Sequence, residues 1–311
     1  PRAGVELTSL DQRLYDDAEV TKRQLIDYLD AVHDRLVPVL AGRPLSVIRA
    51  RPRQRPFMQK NLPHSAPEWI ERFPLWSPSS KRTVSYPVCN DRRTLLWLAN
   101  QRSIEFHPAL VDRTGRATHL VIDLDPPEGA DFAAVVAVAR LVKRALDDCG
   151  LAGVAKTSGA KGLHVFVPVV ADSMEDHAAA TRALGKRAAD LDPSIATSAY
   201  IKEEREGKVF VDSTRSGGAT VVAAYSPRAR SGLPVSFPLR WDELEGVRPA
   251  DLTITTALDR LGGTDPWAEL MPEPQSLPSV LVAEGPTIPV ARVVAMHEGK
   301  RRKRNAERAS D

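Results

Sequence analysis

Residues 119–125 read HLVIDLD, and no other stretch restricts so tightly what this chain of 311 residues can fold into. The run is apolar enough to be a buried strand, and Pro126-Pro127 ends it, because proline donates no hydrogen bond to a ladder. Successive strand side chains alternate faces, so Asp123 and Asp125 point one way while Ile122 and Leu124 point the other. Neighbouring carboxylates repel, and burial disfavours their charged form, unless a proton or a cation lies between them. A divalent metal is the simplest answer.

The chain is long enough to bury a sizeable core, as one large domain or two modest ones. No apolar run approaches the roughly 20 residues that span a bilayer, and the longest, residues 132–146, is interrupted by Arg140, Lys143 and Arg144. The first residues, PRAGVELTSLDQ, lack the apolar stretch of a signal peptide, so the expected location is the cytoplasm, with no membrane partner. Cys89 and Cys149 are too few for a disulfide framework or a cysteine-based zinc site. Of the 43 basic and 40 acidic residues, six and three fall in residues 298–311, which leaves 37 of each sign elsewhere. Charge is nonetheless uneven: Arg43, Arg49, Arg51, Arg53, Arg55 and Lys60 lie in a window, residues 41–67, that contains no acid. That clustering suits a polyanion, although a solvated, proline-punctuated loop would carry the same residues.

Thr21-Lys-Arg-Gln24 has the capping-box pattern, and Leu25, Leu29, Val32, Leu36 and Val39 follow at steps of four and three, which predicts one amphipathic helix ending near Pro38 to Gly42. PLSVIRA predicts a short strand, and the proline- and arginine-rich segment after it, RPRQRPFMQKNLPHSAPEW, a loop. Helices are expected over residues 91–103, over 131–149 with Gly150 as the stop, and over MEDHAAATRALGKRAADL. GVAKTSGAKGLHVFVPV is strand, glycine loop and strand, KVFVDST and ATVVAAYSP are two more strands, and short helices close the run from WDELEG to LDRLGG. Helices and strands interleave throughout, which gives an α/β (α+β) fold: one domain over residues 1–298 and a basic, disordered tail over 299–311.

A third acid, Asp212, closes the apolar run Lys208-Val-Phe-Val-Asp212. Three carboxylates at strand ends can hold two hard divalent cations such as Mn²⁺ or Mg²⁺, the arrangement used in phosphoryl and nucleotidyl transfer. Taken singly, Asp125 before Pro126 could be a helix cap and Asp212 could begin a turn, but neither reading explains Asp123. In Ser158-Gly-Ala-Lys161-Gly162-Leu-His164, the glycines let backbone approach a ligand closely, and Lys161 and His164 add donors suited to a triphosphate. A plain hairpin turn would also read this way. Tyr225-Ser-Pro-Arg228-Ala-Arg230 offers two guanidinium groups that could clamp phosphates. His107, in EFHPAL, reads as a core histidine on its own.

HLVIDLDPP, then TSGAKGLHVFVPV, then VFVD, then ATVVAAYSPRARSGLPVSFPLRWDEL occur in an order that resembles the polymerase domain of bacterial ligase D, in the archaeo-eukaryotic primase superfamily. The resemblance extends through RPLSVIR, FMQKN and the closing DPW. It implies a central mixed, largely antiparallel sheet flanked by helices, and template-dependent addition of ribo- or deoxynucleotides to a 3′ hydroxyl, in DNA repair or gap filling. It further implies Asp123, Asp125 and Asp212 as ligands of two Mn²⁺ or Mg²⁺ ions, and Ser158, Lys161, Gly162, His164, Arg228, Arg230 and His107 as contacts to the nucleoside triphosphate. Primer-template or gapped DNA would meet Lys22, Arg51, Arg53, Arg55 and Lys60, with Phe57 and Trp69 as stacking surfaces.

The chain departs from that pattern in two places. Leu7-Thr-Ser-Leu-Asp-Gln12 lacks the Asn and first Lys with which the family holds a 5′ phosphate, leaving Lys22, and Asp212 is followed by Ser-Thr-Arg215 rather than by an aromatic residue and an Asn. With no ligase or nuclease segment in the sequence, the expectation is a stand-alone actinobacterial relative, nucleoid-associated, for which end joining ranks behind gap filling. A DNA-binding relative without chemistry is the alternative. A nucleotide-sugar transferase would also use the DxD pair but leaves SGAKGLH and YSPRAR without a role.

Overall fold

The computed structural model describes residues 1–14, 20–51, 54–77, 81–215 and 219–290. In chain order the strands are β1 (Leu45–Arg51), β2 (Gln54–Gln59), β3 (Arg72–Ser77), β4 (Arg82–Pro87), β5 (Ser103–Pro108), β6 (His119–Asp125), β7 (Val154–Thr157), β8 (Leu163–Val170), β9 (Ala196–Thr197), β10 (Val209–Asp212), β11 (Pro238–Leu239) and β12 (Gln275–Ser276). The helices are α1 (Lys22–Ala31), α2 (His33–Leu40), α3 (Arg92–Asn100), α4 (Phe132–Asp148), α5 (Met174–Asp190), α6 (Ala257–Leu261), α7 (Pro266–Leu270) and α8 (Ser279–Glu284). The chain divides into two compact units. The first is built from Pro1–Arg116, Val154–Lys161 and Gly218–Met271, the second from Ala117–Gly153, Gly162–Gly217 and the segment from Pro272 on. No helix among the described residues is long and apolar enough to cross a membrane, and Cys89 and Cys149 are both free.

In the first unit the capping box forms: Thr21 Oγ1 accepts from the Gln24 N–H at 3.3 Å, and the Thr21 N–H donates to Gln24 Oε1 at 2.9 Å. The single helix expected after it is broken at Val32 into α1 and α2. There His33 Nδ1 lies 2.7 Å from the Asp30 carbonyl oxygen, which an unbroken helix would give to the Asp34 N–H. β1 pairs antiparallel with β2 on one side and β5 on the other. β2 lies in the segment expected to be a loop; it is an edge strand, where Pro56 removes no ladder bond the sheet requires. The β3–β4 hairpin, in register from Arg72↔Pro87 to Ser77↔Arg82, has no counterpart among the sequence expectations.

The strand expected over ATVVAAYSP does not form; its residues make isolated bridges, Thr220 to Ala109 and Pro227 to Val235, and single hydrogen bonds to β5, the Ala223 N–H to the Phe106 carbonyl at 2.9 Å among them. The run turns at Tyr225. Its φ of +67° turns the chain in a region that bulky residues rarely adopt. Four bonds hold it there. The Tyr225 N–H donates to the Ser236 carbonyl at 2.7 Å, and its own carbonyl accepts from the Tyr28 hydroxyl at 2.9 Å. Its hydroxyl donates to Asp265 and accepts from the Trp267 N–H at 3.0 Å. DPW thus closes the unit by fixing the turn from which Arg228 departs.

In the second unit β6 runs antiparallel between β8 and β10, with β9 parallel to β10 and β12 parallel to β8. This is the mixed, largely antiparallel sheet expected. Asp131 and Ser173 cap α4 and α5, whose side chains accept from the N–H groups of Ala133 and Asp176. α4 buries Val135, Val138 and Val142, and α5 an alanine-rich face. A Cβ at Gly185 of α5 would lie 2.7 Å from Ser213 Cβ and 3.6 Å from the Ile122 side chain. Ile122 therefore faces the helix, and Asp123 the opposite side. Asp125 caps no helix, because α4 starts later, behind Asp131.

Tyr225→Phe leaves the packing of the ring but removes the hydroxyl shared by Asp265 and the Trp267 N–H. It is expected to lower unfolding free energy by about 1–3 kcal/mol, the penalty for an orphaned buried donor. Urea denaturation reads this, and an unchanged midpoint would show that the turn is held by other contacts.

Candidate functional site

The ladder of the second unit aligns the charged side chains. Asp123 of β6 stands opposite His164 of β8 and opposite Asp212 of β10 in the pairing register, so the three form a row across the sheet on the face away from α5. Asp125, two residues along, shares that face. Asp123 and Asp212 are buried and Asp125 is exposed at the strand end. His164 Nε2 lies 3.3 Å from Asp123 Oδ1. Asp212 also starts a turn, since its Oδ1 accepts from the Thr214 N–H at 2.8 Å. Loss of water around the Asp125 carboxyl, followed by the charges of Asp123 and Asp212, raises its pKa to about 6.

As the side chains stand, no three His, Cys, Asp or Glu among the described residues converge as a ligand cage. Arg215 bridges the row instead. Its Nη2 donates to Asp123 Oδ2 at 3.3 Å, and its Nε lies 3.5 Å from Asp212 Oδ2, buried and without a hydrogen bond. Burial opposes the guanidinium charge, but Asp123, Asp212 and Asp125 outweigh it and raise the pKa. The donor set fits a hard divalent cation: it is all carboxylate, and it already draws a positive charge between two of its members.

Two of the other expected nucleotide contacts, His107 and Arg228, meet in the first unit at Glu105. This buried carboxylate accepts from Arg228 Nε at 2.9 Å and from the Ala229 N–H at 2.8 Å, and lies 2.8 Å from His107 Nε2. Burial alone would push Glu105 up, but the His107 bond, the Arg228 and His107 charges and the Ala229 N–H hold it below the ordinary carboxylate range. Burial lowers the His107 pKa against the pull of Glu105. Arg228 Nη1 also donates to the Ser158 carbonyl, and Ser158 Oγ accepts from the Ala160 N–H at 3.2 Å. Gly159 has φ +68°, and a Cβ there would lie 2.5 Å from Arg228 Cγ, so this glycine is required by backbone and neighbour alike. Lys161 and Arg230 are exposed and Gly162 is buried.

Of the residues expected on DNA, Arg51 at the end of β1, Arg55 in β2 and Lys60 just after it are exposed, while Arg53 and the tail lie outside the described residues. Arg51 and Arg93 already stack on the expected aromatic surfaces, at 5.3 Å from the Phe57 ring and 4.0 Å from Trp69. Lys22 is not on the surface. It is buried, its Nζ donates to the Thr8 carbonyl at 2.6 Å and to Asn100 Oδ1 at 2.7 Å, and burial, then Arg102, lowers its pKa to about 8. The sequence reading missed Glu105 and Arg215. Glu105 carried the same signal as the DxD pair, two polar residues two apart in an apolar run, Glu105-Phe-His107. Arg215 was visible only as a departure from the family pattern.

Lys22 gives a pH signature. Its folded pKa lies below the ordinary 10.5, so the unfolded chain binds the extra proton, and stability conferred at this position rises between pH 8 and 10.5. The stability difference between the parent protein and Lys22→Met is therefore expected to shift in favour of the parent over that window; paired thermal melts check this, and a pH-independent difference refutes it. Gly159→Ala is expected to displace Arg228 and destabilise by about 1–3 kcal/mol, read by urea denaturation; an unchanged midpoint would refute this.

Residues 21–267 match the family model described as LigD, primase-polymerase domain. The bifunctional non-homologous end joining protein LigD of Bacillus subtilis is 33% identical over 264 residues, 83% of this chain and 42% of that protein. The multifunctional non-homologous end joining protein LigD of Mycolicibacterium smegmatis is 34% identical over 278 residues, 86% of this chain and 35% of that protein. The chain thus spans less than half the length of these curated relatives. Among solved structures, the polymerase domain from Mycobacterium tuberculosis ligase D in complex with DNA matches with a TM-score of 0.77 at 34% identity, over 86% of this chain and 97% of that one. A match of this extent, on a fold that carries DxD and a third Asp at paired strand ends, means that the chain belongs to the LigD primase-polymerase domain family, enzymes of the nucleotidyltransferase type.

Proposed function

We propose that this chain extends a primer on a DNA template by adding ribo- or deoxynucleotides to a 3′ hydroxyl, with Asp123, Asp125 and Asp212 holding two Mn²⁺ or Mg²⁺ ions. The observation that carries the reading is the register that sets Asp212 opposite Asp123, with Asp125 on the same face. Cations bound there would lower the pKa of the primer hydroxyl, align it on the α-phosphate and stabilise the departing pyrophosphate. The chain's own residues do the rest. Ser158, Lys161, Gly162, His164, Arg228 and Arg230 neutralise and orient the triphosphate, with Glu105 and His107 fixing the direction of Arg228. Arg51, Arg55 and Lys60 supply phosphate contacts to DNA, sequence-independent and sensitive to salt.

The names of the relatives favour repair of broken ends over gap filling alone, and the DNA complex of the structural relative supports a DNA substrate. A second reading, a DNA-binding member without chemistry, is favoured by one observation, the Arg215 bridge across the carboxylates.

Extension of a labelled primer on gapped and on broken-end templates, in Mn²⁺ and in Mg²⁺, separates the two. The unmodified chain is expected to extend, and Asp123→Asn/Asp125→Asn to lose more than about 1,000-fold in rate, roughly 4 kcal/mol of transition-state stabilisation. Equal extension by the double variant would refute the ligand assignment; binding without extension by the parent would establish the second reading.

A further inference from the structure

We infer that Arg215 is a built-in counter-ion of the carboxylate row which a divalent cation must displace, so that this arginine sets the metal concentration at which the site loads. The inference rests on the metal reading proposed above. Its ground is the guanidinium fork itself, which reaches Asp123 at 3.3 Å with one nitrogen and Asp212 at 3.5 Å with another. Those carboxylates come from neighbouring strands and face each other across the ladder, so Arg215 engages oxygens that the proposed ligands would have to offer a cation.

Three further features make Arg215 a cation that can leave. Its Nε is buried against Asp212 yet makes no hydrogen bond, so one long bond, Nη2 to Asp123 Oδ2 at 3.3 Å, and charge hold the group there. Its side chain retains 43% of its exposure, against 9% and 7% for its two partners, which leaves an open route to solvent. It also lies three residues beyond the end of β10, past the turn begun by Asp212 and Thr214, so no ladder fixes its backbone.

Arg215 and a metal would compete for the same oxygens, Asp123 Oδ2 and Asp212 Oδ2. A guanidinium and a divalent ion within a few ångströms repel, and carboxylates that neutralise one are no longer free to neutralise the other. Arg215 therefore keeps the metal-free row from repelling itself and raises the metal concentration needed to replace it. A ligand with different affinity for the two arrangements shifts the population between them, and here the metal and the arginine are alternatives for the same oxygens.

The test is Mn²⁺ binding to the full chain, read as loss of the free-ion signal in electron paramagnetic resonance, with no nucleotide or DNA present. Arg215→Gln is expected to bind Mn²⁺ on the order of tenfold more tightly than the parent, and to melt at a lower temperature than the parent in chelator but not in saturating Mn²⁺. A residue with a merely structural role would weaken both. Equal or weaker Mn²⁺ binding by the folded variant overturns the inference. The parent protein supplies an independent measurement that does not depend on how the variant folds: Mn²⁺ is expected to increase modification of Arg215 by phenylglyoxal, mapped by peptide mass spectrometry, and unchanged or decreased modification overturns the inference. If the parent binds no Mn²⁺ that Asp123→Asn removes, the metal reading itself falls; binding that is equal in parent and Arg215→Gln removes only the role of Arg215.

Discussion

Repulsion among three carboxylates on one face of β6 and β10 is the constraint to which the second unit answers. Asp123 and Asp212 are directly opposed and both buried, so their repulsion is not relieved by water. The other face of the same strands offsets it. Ile122, Leu124 and Val211 are buried beside α4 and α5, and each fully buried aliphatic side chain contributes about 1.5–3 kcal/mol. A strand that is hydrophobic on one side can hold charge on the other without unravelling, which is why an apolar run and a DxD pair occupy the same seven residues. Arg215 and His164 complete the compensation from neighbouring positions.

The first unit contains a comparable device built on one buried acid. Glu105 would be costly alone, yet it meets a guanidinium, a main-chain N–H and a histidine, and those bonds keep it ionised. The consequence is positional. Arg228 cannot rotate freely, because Glu105 holds Nε and the Ser158 carbonyl holds Nη1, and the left-handed Tyr225 sets the direction of the chain that carries it. Gly159 gives this arm room. Backbone strain at Tyr225 is maintained by bonds on both its backbone and its hydroxyl, as expected where local geometry serves a site rather than the core.

Set against the family pattern expected from the sequence, the chain matches at the acids and the SGxxGxH element and departs around them. Lys22 survives in sequence but is drawn inside by Thr8 and Asn100, so a basic residue matched by pattern alone is not thereby a surface contact. Arg215 is the opposite case. It falls where the pattern has something else, and it touches the row that the pattern identifies.

Local sequence decided what depends on period and on caps. Alternation in HLVIDLD set Asp123 and Asp125 on one face, the Thr21–Gln24 box and the Asp131 and Ser173 caps started helices where they stand, and the Pro126-Pro127 pair ended β6. Asp212 closing an apolar run and the glycines around Lys161 were legible there too, and the family resemblance added the roles expected of them. Tertiary structure alone decided register: that Asp212 meets Asp123, that Glu105 gathers Arg228 and His107, and that Arg215 reaches across. It also overruled propensity, turning ATVVAAYSP away from the sheet at Tyr225 and recruiting residues 54–59 as an edge strand. The physical reason is the same throughout. Periodicity and capping act between residues a few positions apart, whereas pairing register, charge compensation and the hydroxyl bonds that hold Tyr225 join positions 40 to more than 100 residues apart, which no local pattern records.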